Sequence, residues 1–414
     1  MPQTVIEKII AAHGGGNGRP GDIVWMDIDY RSARDFGGAN VVGNLQDNYP
    51  DDPIGDLDRT FFTFDTNAPA NTIGYAENQH ICRTFAQEQC IKVFDVDRGI
   101  GTHTAIEEGL VWPGATGVGT DSHFNIMGAI GAFGQGMGDQ DVAFIFKAGK
   151  TWFEVPPSMK VVFQGKLPSN CTPRDLTLKL VGTLGSSGAL GKAVEIEGEA
   201  VDALDLSGRI TLASMATETG AISYFIKPSQ EIIDYCQKHS GRDNIEPVIP
   251  DADANYEDTI EIDVSNLEPQ IACPPSPDNV VPVREVAGKK IHSVFLGSCT
   301  NGRIEDIRAA ADILKDKKIA PGVMMKVVPA TRQVYQQMLD EGLLNILFAA
   351  GAIVTAAGCG GCASGQVGMT GKGEVQLSTS NRNFRGKQGA GETYLCSPVT
   401  AALSAVGGEI TYQK

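Results

Sequence analysis

The 414-residue chain is long enough for two to four domains, each with its own core, and its 42% apolar and 20% charged residues are the proportions of a globular protein. A formal net charge of −16 opposes nucleic-acid phosphates and anionic lipid, and no basic stretch offsets it, so an acidic ligand must meet locally gathered cations. No secretory pattern opens the sequence and no apolar run reaches the ~20 residues of a membrane span. With nine cysteines, an odd count, free or metal-bound thiols in a reducing cytoplasm are expected.

In chain order, "TVIEKIIAAHGGG" reads as a helix with a Thr4/Glu7 capping box and a glycine stop. "GDIVWMDIDY" and "RTFFTFDT" read as early strands, and "ATGVGTDSH" as a strand end running into a loop. "GAFGQGMGDQD" is glycine-rich, but no downstream acidic residue in a βαβ context supports a nucleotide loop, and close backbone packing is the better reading. "SVFLGSCTN" is a buried strand followed by the helix "RIEDIRAAADILKDKK", whose Ile304, Ile307, Ala311 and Leu314 share one face. "MMKVVPATRQVYQQMLDEGLL" repeats the strand–turn–helix plan, and the apolar run 346–354 reads as a buried strand leading into "TAAGCGGCASG". The alternation argues for α/β architecture with largely parallel sheets. Proline clusters in "FEVPPSMK" and "CPPSPDNVVPV" divide the chain into three expected domains, 1–155, 156–284 and 285–414.

Cys359 and Cys362 form a C-x-x-C pair in a loop of glycine and alanine. A structural zinc site needs four ligands, and there is no second C-x-x-C. A thioredoxin-like motif would open a helix early in a domain. An iron–sulfur cluster fits if a third thiolate comes from a similar loop, and Cys299 in "FLGSCTNGR" is that candidate. Buried, inert cysteines are the competing reading. Both loops follow strands, where open α/β sheets build sites, and Thr300 or Asn301 is suited to cap the helix after Cys299. A cubane held by three thiolates leaves one iron open to act as a Lewis acid. Cys82, Cys90, Cys171, Cys236, Cys273 and Cys396 lack paired spacing and read as structural.

Together "GSCTNGRIEDIRAAADIL", "GCGGCASG" and "LSTSNRNFRGKQGAGETYLCSPVTAALSAVGGEI" resemble the aconitase superfamily, over nearly the whole chain. The resemblance implies three aconitase-like α/β domains without the swivelling fourth. It implies a 4Fe–4S cluster on Cys299, Cys359 and Cys362, and reversible dehydration of a 2-hydroxy acid without redox change. The implied substrate is a substituted malate: 3-isopropylmalate first, in leucine biosynthesis, with 2,3-dimethylmalate, citramalate or homoaconitate as alternatives. Residue by residue, it assigns Asp121, Ser122 and His123 to the surroundings of the reacting hydroxyl, Glu218 to its neighbourhood, and Asn381 and Arg382 to cluster and substrate, with Asn301 beside them. By itself Glu218 reads as a surface helix residue. An arginine fork suits a planar carboxylate.

Three departures stand out against the family pattern. Asp65 is followed by Thr66 where a histidine is usual, His103 falls one place late, and Lys387 replaces a second arginine, keeping charge but losing the bidentate fork. No G-S-S-R-type segment for the family's serine base occurs, so a small partner subunit is expected to carry it on the swivelling domain. A labile three-ligand cluster would also suit a non-catalytic iron or oxidant sensor, and a zinc or structural cysteine site is the remaining alternative.

Overall fold

The computed structural model describes residues 2–362 and 366–413; the last three residues of "GCGGCASG" lie outside them. Central strands such as Thr60–Thr63, Thr116–Gly119 and Ser293–Leu296 are buried on both faces, and with their neighbours they assemble into three largely parallel sheets. The first has the order Lys92–Phe94, Thr60–Thr63, Tyr30–Arg34, Thr116–Gly119, Phe133–Gly136, all parallel. Its chain order reverses between Tyr30–Arg34 and Thr116–Gly119. The second, also parallel, has the order Ser223–Ile226, Ala193–Glu197, Ser158–Gln164, Asp258–Asp263.

In the third sheet Glu392–Leu395, Val375–Ser378, Ser293–Leu296, Met324–Val327 and Ile353–Val354 run parallel, with Gln270–Ala272 and Val280–Pro282 added antiparallel at one edge. Its order reverses between Ser293–Leu296 and Val375–Ser378. Ligands of open α/β sheets bind outside the carboxyl ends of strands at such reversals. An apolar cluster holds the parts together: Tyr30, Phe61 and Phe124 of the first unit pack with Ile210 and Ala330, and the cluster extends to Cys299 and Cys359. Among the described residues no helix is long and apolar enough to cross a membrane.

Local sequence explains the elements that frame the reversals. Thr4 and Glu7 form the capping box of Val5–Ile10. After Cys299, Ile304–Leu314 buries Ile304, Ile307, Ala311 and Leu314, as its periodicity requires. Its cap is one turn later than expected: Arg303, not Thr300 or Asn301, is the N-cap, and its N–H donates to Asp306. The apolar run 346–354 is not one strand. Leu343–Ala350 is helical, Gly351 ends the helix at φ 99°, and only Ile353–Val354 pairs into the sheet. Leu and Ala favour helix, and Ala, Ile, Val after a glycine stop suffice for a two-residue strand. "GDIVWMDIDY" splits too: Ile23–Asp27 pairs antiparallel with Lys150–Glu154, and Tyr30–Arg34 enters the first sheet.

The glycines of "GAFGQGMGDQD" serve backbone packing. A Cβ on Gly136 would fall inside contact distance of the Asp121 carbonyl oxygen, so this strand lies directly under the Asp121–His123 loop. Gly136→Ala is therefore expected to destabilise the fold by about 1–3 kcal/mol, the range for overpacking against atoms that cannot rotate away. Urea unfolding reads this directly, and an unchanged midpoint would refute the close approach.

Candidate active site

The first and third sheets present their order reversals to a shared cavity of about 350 Å³. The first unit lines it with Arg34 and Phe36 from the end of Tyr30–Arg34, Thr66 and Tyr75, and the loop from Thr120 to His123. The third lines it with Cys299, Cys359, Cys362, Arg382 and Lys387. The two are joined by backbone: Cys359 N–H donates to the Asp65 carbonyl at 2.9 Å, and Ile100 N–H to Ala330 at 2.8 Å.

All three cysteines are free, and burial pushes each thiol above its usual range. Ser298, directly before Cys299, holds φ 74°, a left-handed conformation that costs a non-glycine residue of order 1–3 kcal/mol. Around Cys362, Lys387 and Arg382 work against burial. Arg34 Nη2 donates to Cys359 Sγ at 2.6 Å, and the Cys299 thiol donates to Asn381 Oδ1 at 3.2 Å. Among the described residues no three His, Cys, Asp or Glu side chains converge on one metal ion. The donor set is three soft thiols spread over one cavity wall, which suits a multi-iron cluster with an open side.

Glu218 is buried, not the surface residue its sequence context suggests. It lies on the short helix Ala216–Thr219, with Oε1 accepting from Arg382 Nε at 2.7 Å and 3.1 Å from His123 Nε2. Burial opposes its ionisation, but His123 and Arg382 outweigh burial and hold the carboxyl below the usual range. Its Oε2 is buried without a partner among the described residues. Asp121 Oδ1 is ion-paired with Arg34 Nη1 at 2.9 Å and accepts from the His123 N–H at 3.0 Å. Burial again opposes, and Arg34 with His123 keeps Asp121 below the usual range. Asp65, on the same guanidinium, is pushed up to about 6 because burial is joined by the charges of Asp35 and Asp121. Ser122 is exposed, its Oγ 3.3 Å from His123 Nδ1, and Lys387 is half-buried at the cavity.

Several residues sit behind the cavity. Asp65 is 1% exposed, with Oδ2 accepting the Gly101 N–H. His103 is fully buried, its Nε2 2.9 Å from the Cys299 carbonyl oxygen, and burial beside Arg303 pulls it down to about 3. Asn381 donates to the Ser214 carbonyl. Asn301 turns away into a separate cavity of about 130 Å³, donating to Thr211 and Asp306. Sequence reasoning missed Arg34, Phe36 and Tyr75. An arginine ending a strand of an α/β sheet was the available signal for the first.

Residues 7–408 match the profile of the Aconitase family (aconitate hydratase), and the chain belongs to that family. Its relatives include the probable 3-isopropylmalate dehydratase large subunit of Methanothermobacter thermautotrophicus, 44% identical over 100% of this chain and 99% of that protein. The 3-isopropylmalate dehydratase large subunit 1 of Methanopyrus kandleri is 42% identical over 99% of each chain. The homoaconitase large subunit of Thermus thermophilus is 41% identical, over 99% of this chain and 97% of that one. Among solved structures, aconitase X from Thermococcus kodakaraensis in its holo-form shares the fold, with a TM-score of 0.53 at 13% identity over 94% of this chain and 97% of that one.

Asp306, which orders Asn301 behind the Cys299 loop, gives a pH prediction. Burial pushes its carboxyl from an ordinary 3.8 up to about 7. A raised carboxyl pKa contributes stability that is present below about pH 4 and lost as pH rises through 7. Asp306→Asn does not titrate, so its stability relative to the wild type is expected to improve with pH across that window, by up to about 1.4 kcal/mol per pH unit. Urea unfolding at pH 5 and pH 7 measures the difference, and an equal offset at both would refute it.

Proposed function

We propose that this chain is the cluster-bearing large subunit of a hydro-lyase that dehydrates and isomerises a substituted malate. 3-Isopropylmalate is the first candidate, and homoaconitate, 2,3-dimethylmalate and citramalate are alternatives of the same class. The observation that carries this reading is one cavity lined by three free thiols, three cations and His123, whose Nε2 is hydrogen-bonded to Glu218. Full-length relatives named as isopropylmalate dehydratase and homoaconitase large subunits support it.

Cys299, Cys359 and Cys362 would hold a 4Fe–4S cluster. When bound, that group supplies an open iron, a Lewis acid toward the substrate's hydroxyl. The chain's own residues do the rest. Arg382 uses Nε on Glu218, and its side chain makes no other hydrogen bond among the described residues, so its terminal nitrogens are free for a carboxylate fork. Lys387 takes the second carboxylate as a point charge. His123 and Glu218 share a proton at Nε2 and Oε1 and pass it to the departing hydroxyl, with Asp121 holding the His123 backbone. Asp65 and His103 act from behind, through Arg34 and the Cys299 carbonyl. Ser122 and Asn381 complete the hydrogen bonding around His123 and Cys299. Phe36 and Tyr75 give the cavity an aromatic side that suits an alkyl substituent. The base that removes the carbon-bound proton belongs to a small partner subunit, as the relatives' designation as large subunits supports.

Anaerobic reconstitution with iron and sulfide tests the reading. About four irons and four sulfides per chain are expected in the wild type, falling sharply in Cys359→Ser. With the co-expressed small subunit, the wild type should then dehydrate alkylmalates. No cluster in the wild type, or a cluster without turnover of any alkylmalate, would overturn the proposal. Phe36→Ala is expected to lower kcat/KM for 3-isopropylmalate relative to citramalate by ~10-fold, the worth of a few apolar contacts. An unchanged ratio assigns the substituent elsewhere.

A further inference from the structure

Arg34 ends the central strand of the first sheet, beside the order reversal, and its side chain is 14% exposed. Each nitrogen of its guanidinium is committed to a different loop. Nε donates to Asp65 Oδ1 at 2.7 Å, Nη1 pairs with Asp121 Oδ1 at 2.9 Å, and Nη2 donates to Cys359 Sγ at 2.6 Å. The connections continue outward. The Asp65 carbonyl accepts the Cys359 N–H, and Asp65 Oδ2 accepts the N–H of Gly101, which opens the helix Gly101–Glu107. That helix carries His103, whose ring lies against the Cys299 carbonyl. One planar cation thus ties two site carboxylates to a thiol and braces both cysteine loops.

One N–H on each nitrogen is engaged, so reorienting the guanidinium toward a substrate carboxylate would abandon a buried anion. Breaking a buried pair strands a charge and is costly. Resting on the functional reading above, we infer that Arg34 is a positioning residue of this site. It fixes Asp65 and Asp121 against the cysteine wall and donates a hydrogen bond to the ligand sulfur of Cys359. Such bonds stabilise the electron-rich state of a thiolate-held cluster and raise its reduction potential. Lysine carries its donors on one nitrogen and lacks the planar fork that meets three separately placed partners.

The test compares wild type, Arg34→Lys, Asp65→Asn and the double variant Arg34→Gln/Asp65→Asn, in which no carboxylate at position 65 is left stranded. Each is reconstituted anaerobically and assayed with the small subunit. Three readouts are taken: the cluster's midpoint potential by EPR-monitored redox titration, iron release to a chelator, and kcat and KM separately. Relative to Asp65→Asn, the double variant is expected to show a more negative potential and faster iron release. Its kcat should fall ~10-fold or more while KM stays within about twofold, and Arg34→Lys should fall between.

A double variant that is folded by circular dichroism yet holds no cluster, where Asp65→Asn holds one, also supports the inference. Potential and iron release unchanged in both Arg34 variants would overturn it. So would a KM rise at unchanged potential, which would make Arg34 a substrate anchor. If the double variant does not fold, Arg34→Lys decides by the same criteria. A wild type that takes up no cluster sinks the functional reading itself, and this inference with it. A wild type that is loaded and active, beside unaffected Arg34 variants, sinks the inference alone.

Discussion

Thiols from two distant loops can share a cavity wall only where backbone approaches backbone almost without side chains between. A Cβ on Gly358 would stand 2.9 Å from the Asp65 carbonyl oxygen, and one on Gly360 2.8 Å from Val328 Cγ2 and 2.9 Å from the Phe295 ring. A Cβ on Gly361 would meet the Val367 carbonyl at 2.8 Å. Gly358 and Gly360 also hold positive φ. That is why Cys359 and Cys362 are embedded in glycine. The Cys359 N–H reaches the first unit's Asp65 carbonyl through a gap that side chains would close. Both cysteine loops, Arg34 and the Asp121–His123 loop depend on this seam, because the cavity exists only while its two sides are in register.

Electrostatics works on the same scale. The chain carries −16 overall, yet its cavity gathers Arg34, Arg382 and Lys387. They are not equivalent. Arg34 is consumed internally by Asp65, Asp121 and Cys359, whereas Arg382 gives one nitrogen to Glu218. The carboxylates on Arg34 diverge for a physical reason. Asp121 has His123 as a second support and lies below its ordinary range; Asp65 has Asp35 and Asp121 as like-charged neighbours and lies above it. Groups separated by their surroundings in this way divide acid and anion roles within one site.

What was legible in the sequence followed from pattern. Alternating apolar runs and helical faces gave α/β architecture with parallel sheets, and residue types at fixed spacing singled out Cys299, Cys359 and Cys362. What was not legible depends on which way a side chain leaves a loop. Asn301 sits two residues from Cys299 but turns toward Thr211 and Asp306, because the helix cap falls at Arg303. Glu218, in a polar stretch, is buried by its partners His123 and Arg382, which lie far from it in the chain. Arg34 was hidden in "YRSAR", where nothing in the local pattern sets it apart from Arg31. The parallel sheet buries that strand on both faces, so its last residue emerges at the order reversal. The run 346–354 misled because hydrophobicity alone does not separate a buried strand from a helix.

The histidine departures then form one pattern. Position 66 carries a hydroxyl whose Oγ1 lies 3.4 Å from Asp65, a weak contact that cannot replace an imidazole at neutral pH. His103 is locked neutral against the Cys299 carbonyl and does not line the cavity. Of the imidazoles, His123 alone among the described residues lines the cavity, and its Nε2 faces a carboxylate held ionised. A guanidinium occupies the space beside Asp65, and it neither gives up a proton nor accepts one at any physiological pH. On the proposed reading, proton traffic on this chain converges on His123 and Glu218, while Arg34 contributes fixed charge and geometry. Keeping a guanidinium beside Asp65 trades adaptable proton transfer for a stiffer cysteine wall.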